Sequence, residues 1–358
     1  MSDIQTSQAY KTAMQVAWEF DYDVKIDQLK NLYSRAKELQ WDAETDIDWS
    51  RNVDPSSPII EEESFGYTKL PFYQRLSKSQ QETLRAHVAA YRLSQFLHGE
   101  QGALMTAATL SHSVPDYEAK LYSATQTMDE ARHVEVFEKY VRKIAIVYPI
   151  SNFLKDLIDA TLQSDHWIKI AIGMNIVIEG LALGAFYNMR RVTGCPVLRD
   201  IVGLAMRDEA RHVAFGNVYV GAKLRDMHPD DREDAADFAL AALTGMAGPR
   251  RGERARDRRS AMGRDPGFVK AIENAGIDPN DFAKGLEEGR AQGIQIDQQP
   301  GTVNIMRDLV MPALVRVGAI TERTKKLLEE RGIVLSEDTT VLEKMEDQKT
   351  GIIELPGN

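Results

Sequence analysis

Asp129-Glu-Ala-Arg-His133 and Asp208-Glu-Ala-Arg-His212 are one pentapeptide, DEARH, written twice at an offset of 79 residues. With 54 acidic residues and 7 His in the chain, about one carboxylate-x-x-His is expected by chance, so a single copy would carry little. The offset carries more. Stepping back 79 from Glu179 reaches Glu100, and the same step relates Val134 to Val213 and Tyr140 to Tyr219. The chain therefore reads as two related helical hairpins, each with a lone Glu and a Glu-x-x-His.

Spacing predicts the geometry of each hairpin. Glu100 and Glu130 are equidistant from Pro115, and Glu179 and Glu209 from Gly194, with Pro196 just beyond. Both midpoints are helix breakers. If the helices fold back there, each lone Glu stands level with its Glu-x-x-His, about 22 Å from the turn at 1.5 Å per residue. Positions i and i+3 share a helix face, so Glu130 and His133 point together, as do Glu209 and His212.

Four helices would thus aim Glu100, Glu130, His133, Glu179, Glu209 and His212 inward. Four carboxylates and two imidazoles balance two divalent ions of hard to borderline character and leave positions open for dioxygen or water. Two Fe ions fit, as does a mixed Mn/Fe pair. Glu179 sits in the apolar run IVIEGLALG, where a carboxylate is costly unless paired or metal-bound. Asp129 and Asp208 are placed to accept the second ring N–H of a ligand histidine, with Arg132 and Arg211 neutralising them. Helical phase puts a hydrophobic substrate beside Phe96, Leu104, Leu183 and Phe186.

The rest of the chain is consistent with a soluble all-α protein. Its 358 residues, 43% apolar, can bury a sizeable core, and a net charge of −10 argues against broad nucleic-acid binding. The single cysteine, Cys195, excludes an intramolecular disulfide and any multi-thiolate metal site, and points to a cytoplasmic home. The N-terminus lacks the pattern of a signal peptide. Ile168 to Met189 is long and apolar enough to span a bilayer, but Lys169 and Glu179 within it favour a buried bundle helix and no membrane span.

Helical patterns run over Asp23 to Glu44, Ser79 to Leu110, Asp116 to Tyr148, Ile150 to Gln163, Asp165 to Val192, Val197 to Met227 and Asp230 to Thr244. A polar wrapping loop, Thr45 to Tyr67, follows the first helix. Pro279 to Gln292 and Val303 to Arg331 are also helical, and the tail after Leu335 is polar. The expected organisation is a bundle with N-terminal helix and wrapping loop over 1–246, a basic loop over 247–266, and a C-terminal helical extension over 267–358. Arg250 to Arg264 holds seven Arg against Glu253 and Asp257, a solvated charge run or a seat for an anionic partner.

The set Glu100, Glu130-x-x-His133, Glu179, Glu209-x-x-His212 resembles that of the ferritin-like di-iron carboxylate proteins, and the doubled Asp-Glu-x-Arg-His form looks most like hydroxylase subunits of bacterial multicomponent monooxygenases. The resemblance implies a ferritin-like four-helix bundle with additional N- and C-terminal helices. It implies dioxygen as co-substrate, oxidation of a hydrophobic organic substrate, and electrons from a separate reductase or ferredoxin. A homodimer is also expected.

Departures shape that expectation. Those hydroxylases carry a threonine at the place of Leu183. Arylamine N-oxygenases add a histidine where this chain has Ala205, which sets arylamine oxidation aside. Ribonucleotide reductase small subunits carry a radical tyrosine at the place of Phe137. Acyl-carrier-protein desaturases share the ligands, so fatty acyl desaturation stands as an alternative, and a non-catalytic ferroxidase as another.

Overall fold

The computed structural model describes residues 8–12, 14–64, 66–247, 265–294 and 302–346; the Arg250 to Arg264 run lies outside the described residues. After an extended N-terminal arm come α1 (Asp27–Glu38), a short α2 (Pro71–Gln74), α3 (Lys78–Ser113), α4 (Tyr117–Ile144) and α5 (Asn152–Leu162). A continuous helix follows, made of α6 (Trp167–Ala171), a π-helical stretch (Ile172–Ile178) and α7 (Glu179–Val192). Then come α8 (Pro196–Asp226) and α9 (Pro229–Ala247). No strand occurs among the described residues, only an isolated bridge between Ile60 and Thr193.

The two hairpins form as their spacing requires. α3 starts on a capping box, Ser77 with Gln80, and α4 begins just past Pro115. α8 carries Pro196 at its first turn, where the missing N–H costs nothing. α3 packs along α4 and α7 along α8, while α1 lies across α4 and α8. Together these helices make a ferritin-like bundle whose core includes Phe137, Phe186, Phe215, Tyr122 and Tyr140, all fully buried.

The bilayer-length helix Trp167–Val192 has a mean hydropathy of 1.7, and 83% of its apolar window is buried inside the protein. It is a core helix here. Lys169, at its start, pairs with Asp165 and Asp234 rather than entering the core.

Three expectations are corrected. α1 stops at Glu38, because the Asp42 carboxylate accepts the N–H groups of Glu44 and Thr45 and closes a turn instead of a helix. The stretch expected as one helix from Val303 is broken: a π-helical turn (Met306–Val310) runs into α12 (Met311–Arg316), Gly318 adopts φ 78°, and Thr321 caps α13 (Glu322–Glu330). Gly reaches that φ without the Cβ penalty other residues meet. Three helices lie outside the expected stretches: the short α2, α10 (Pro266–Asn274), capped by Asp265, and α14 (Thr340–Glu346). α11 (Pro279–Ala291) is as expected.

The π-helical stretch lies against α8 at Gly216, whose added Cβ would stand 2.7 Å from both the Cβ and the carbonyl oxygen of Asn175. Gly216→Ala should therefore lower stability by about 1–3 kcal/mol through overpacking, against a gain of ~1 kcal/mol in helix propensity. Chemical denaturation reads the balance, and an unchanged midpoint would mean that α8 yields at this contact.

Candidate metal centre

All six residues singled out as ligands converge between α3, α4, α7 and α8, and each is at most 3% exposed. Their oxygen and nitrogen atoms form two quartets, each able to hold an ion: Glu100, Glu130, His133 and Glu209, and Glu130, Glu179, Glu209 and His212. Glu130 and Glu209 belong to both. Carboxylates shared in this way could serve two ions at once, so the arrangement would suit a pair.

Each imidazole turns Nδ1 to the cluster. His133 Nδ1 lies 3.1 Å from Glu100, 3.3 Å from Glu130 and 3.2 Å from Glu209. His212 Nδ1 lies 3.1 Å from Glu130, 3.4 Å from Glu179 and 3.2 Å from Glu209. The opposite nitrogens are held crosswise: His133 Nε2 is 3.1 Å from Asp208, and His212 Nε2 is 3.3 Å from Asp129. Each hairpin's aspartate thus orients the other hairpin's histidine. Donation from Nε2 to an aspartate would leave Nδ1 as the nitrogen available to an ion.

Arg132 and Arg211 each donate to both aspartates, forming a buried square of two cations and two anions. α1 closes this network from outside. Gln40, just past its end, donates to Asp129 at 3.0 Å and accepts from Arg132, and the Trp41 indole N–H donates to Asp208 at 2.7 Å. Trp41 also stacks on His133 and receives Arg132 over its ring.

Gln126, one turn before Glu130, donates to Glu179 at 2.5 Å and is held by Asn175 from the π-helical stretch at 2.9 Å. The same position in the second hairpin is the buried Ala205. The two halves of the site therefore differ at one matched pair. Gln40, Trp41, Gln126 and Asn175 escaped the sequence reading. The offset of 79 residues that joins Gln126 to Ala205 was the one available signal.

The arginines spend their charge on the aspartates, so the inner cluster has only two histidines for four carboxylates. Burial pushes Glu100 and Glu179 well above the usual carboxylate range, with the charge of Glu209 adding to both. Burial acts the same way on Glu130 and Glu209, but the histidines outweigh it at Glu130, and a hydrogen bond with Glu179 together with the histidines does so at Glu209, so both are held low. Burial would depress the histidines; the carboxylates of Asp208 and Glu100, which accept from its ring, and those of Glu130 and Glu209 beside its Nδ1 raise His133, and the charges of Glu179 and Glu130 raise His212. Glu130 Oε2 and Glu209 Oε1 make no hydrogen bond of good geometry, with His133 Nδ1 3.3 and 3.2 Å away. A buried set that gathers protons and still leaves acceptors bare fits two divalent cations, which would supply the missing charge.

A cavity of ≈ 240 Å³ opens against Glu100 and Glu179. Phe96 and Phe186 line it; Leu104 and Leu183 are not among its lining residues, which include Ala103 and Ala182 instead. At about 100° per residue, Ala103 and Ala182 stand roughly 60° to one side of their glutamates, whereas Leu104 and Leu183 stand roughly 40° to the other. The cavity takes the first side on both helices. Phe137, at the radical-tyrosine place, stacks on Phe186.

Residues 24–274 match the family model described as P-aminobenzoate N-oxygenase AurF. No curated protein matches at a significant level. Among solved structures, the chain is similar to a protein with aldehyde deformylating oxidase activity from Synechococcus, at 16% identity over 71% of this chain and 98% of that one, with a TM-score of 0.44. It is also similar to an R2-like ligand-binding oxidase with an aerobically reconstituted Mn/Fe cofactor, at 15% identity over 89% of this chain and 96% of that one, TM-score 0.43. The family match covers both hairpins, although this chain has Ala205 where arylamine N-oxygenases add a histidine.

Proposed function

The chain belongs to the p-aminobenzoate N-oxygenase AurF family, hence is a non-haem di-iron oxidoreductase, and from that premise we propose that it oxidises a hydrophobic organic substrate at ions held by Glu100, Glu130, His133, Glu179, Glu209 and His212. The observation that carries the reading is the pair of overlapping quartets sharing Glu130 and Glu209, placed at the floor of an apolar cavity.

The metal pair, when bound, supplies the reduction of dioxygen. The chain's own residues do the rest. Asp208 and Asp129 hold His133 and His212 with Nδ1 inward, and the arginines pair with those aspartates. Gln126 fixes the carboxylate of Glu179 at the cavity wall. Leu183, Phe96, Phe137 and Phe186 exclude water and present no proton donor of their own beside Glu179. The cavity favours substrate oxidation over a ferroxidase role, which needs no organic pocket.

Without a dinucleotide-binding motif, electrons come from a separate reductase or ferredoxin, and the protein works in the cytoplasm as a homodimer. The test is dioxygen uptake by iron-reconstituted protein given a chemical reductant. Uptake well above that of the metal-free protein is expected, and equal rates for the two would refute the reading.

A further inference from the structure

The cavity walls say which molecules this site takes. Apart from Glu100 and Glu179, its described lining residues are Gln95, Gly99, Ser151 and an otherwise apolar set that includes three phenylalanines, Phe96, Phe153 and Phe186. No Lys, Arg or His is among them. Among the described residues, the only ionisable groups facing the space are thus two buried carboxylates. An anionic substrate would lose hydration on entry and meet no Lys, Arg or His side chain among the described lining residues to replace it.

Volume narrows the class further. A space of ≈ 240 Å³ is below the range of drug-sized pockets and holds about eight water-sized groups at ~30 Å³ each. Its size is set by small residues next to the ligands. Ala103 and Ala182 occupy matched places in the two hairpins, and Gly99 directly precedes Glu100. A Cβ added at Gly99 would meet nothing within 4 Å, unlike one at Gly102, which would strike Ile158 at 2.6 Å. Side-chain volume at Gly99 therefore enters the cavity and not the packing of the bundle.

We propose that this site accepts small uncharged molecules with an apolar body of about ten heavy atoms, rejects carboxylates of the same shape, and has Gly99 as its size-determining residue. The proposal rests on the reading of the cavity as the substrate site, and concerns binding rather than oxidation. Gly99 lies mid-helix in α3, where a larger residue improves helix propensity, so a filled cavity is not confounded with a failure to fold.

Calorimetric titration of the iron-loaded protein with 4-isopropylaniline and with 4-aminobenzoate tests it, since the two share shape and heavy-atom count and differ in charge. The neutral amine should bind at least tenfold more tightly than the anion. Gly99→Leu should weaken the amine at least tenfold while metal content is unchanged and the melting temperature is no lower, with Gly99→Ala intermediate. Binding of the anion as tight as that of the amine, no binding of either, or amine binding unaffected in Gly99→Leu overturns the proposal. Dioxygen uptake by the same samples is read separately: tight amine binding without uptake leaves the pocket assignment standing and removes the oxidase reading.

Discussion

Glu130→Ala and Glu209→Ala should each abolish reductant-driven dioxygen uptake and bring metal content to zero, whereas Glu100→Ala and Glu179→Ala should each leave one ion bound. The difference follows from sharing. Glu130 and Glu209 belong to both quartets, while Glu100 serves only the one with His133 and Glu179 only the one with His212. Truncating a shared carboxylate removes a ligand from both ions at once and leaves three ligands in each quartet. Metal analysis per chain, alongside uptake rates, checks it. Two ions retained in Glu130→Ala would show that the carboxylates are not shared.

The second large effect is expected at Asp208. Its carboxylate, fully buried, accepts from His133, Trp41, Arg132 and Arg211. Removing it leaves two buried arginine charges with one aspartate between them. Asp208→Ala should cost about 3–5 kcal/mol of stability, the usual cost of breaking a buried ion pair. It should also lower metal affinity by about 10–100-fold through the loosened imidazole of His133. Asp208→Asn keeps the volume but not the charge, so it should retain most of the packing and still lose stability.

The pH dependence has a definite sign. Burial pushes the Asp208 carboxyl up, but the hydrogen bond from His133 and the charge of Arg211 outweigh it and hold the group well below the usual carboxylate range. A carboxyl depressed on folding contributes stability that is present above its unfolded value, about 3.9, and lost as pH falls below it. Denaturation midpoints of wild type and Asp208→Asn, followed downward from pH 6, should therefore converge in acid. Parallel curves would mean that Asp208 is not ionised in the folded protein.

The centre was legible because its information is local and repeated. Glu-x-x-His is a spacing within one helix, and the symmetric placement about Pro115 and Gly194 fixes the register of each hairpin without any knowledge of packing. The turns do fall there, between Ser113 and Tyr117 and between Val192 and Pro196. What surrounds the ligands was not legible, because it depends on contacts between distant segments. Trp41 reaches Asp208 from 167 residues away and Gln40 reaches Asp129 from 89, through an N-terminal helix whose docking no periodicity encodes.

The same limit explains the smaller misses. The π-helical stretch before Glu179 is a local widening that an apolar run such as IGMNIVI does not announce, yet it aims Asn175 at Gln126. The cavity side was misjudged because Leu104 and Ala103 lie on opposite flanks of Glu100, and only the neighbouring α5 decides which flank stays open. The C-terminal break depended on Gly318, where glycine was needed for a positive φ rather than tolerated within a helix.

The central claim is that these six side chains hold two ions through shared carboxylates. A crystal structure of iron-loaded protein with anomalous data at the iron edge tests it most directly. Two peaks are predicted, one within reach of Glu100, Glu130, His133 and Glu209 and the other within reach of Glu130, Glu179, Glu209 and His212. A single peak, or iron bound elsewhere with this cluster empty, would contradict the account.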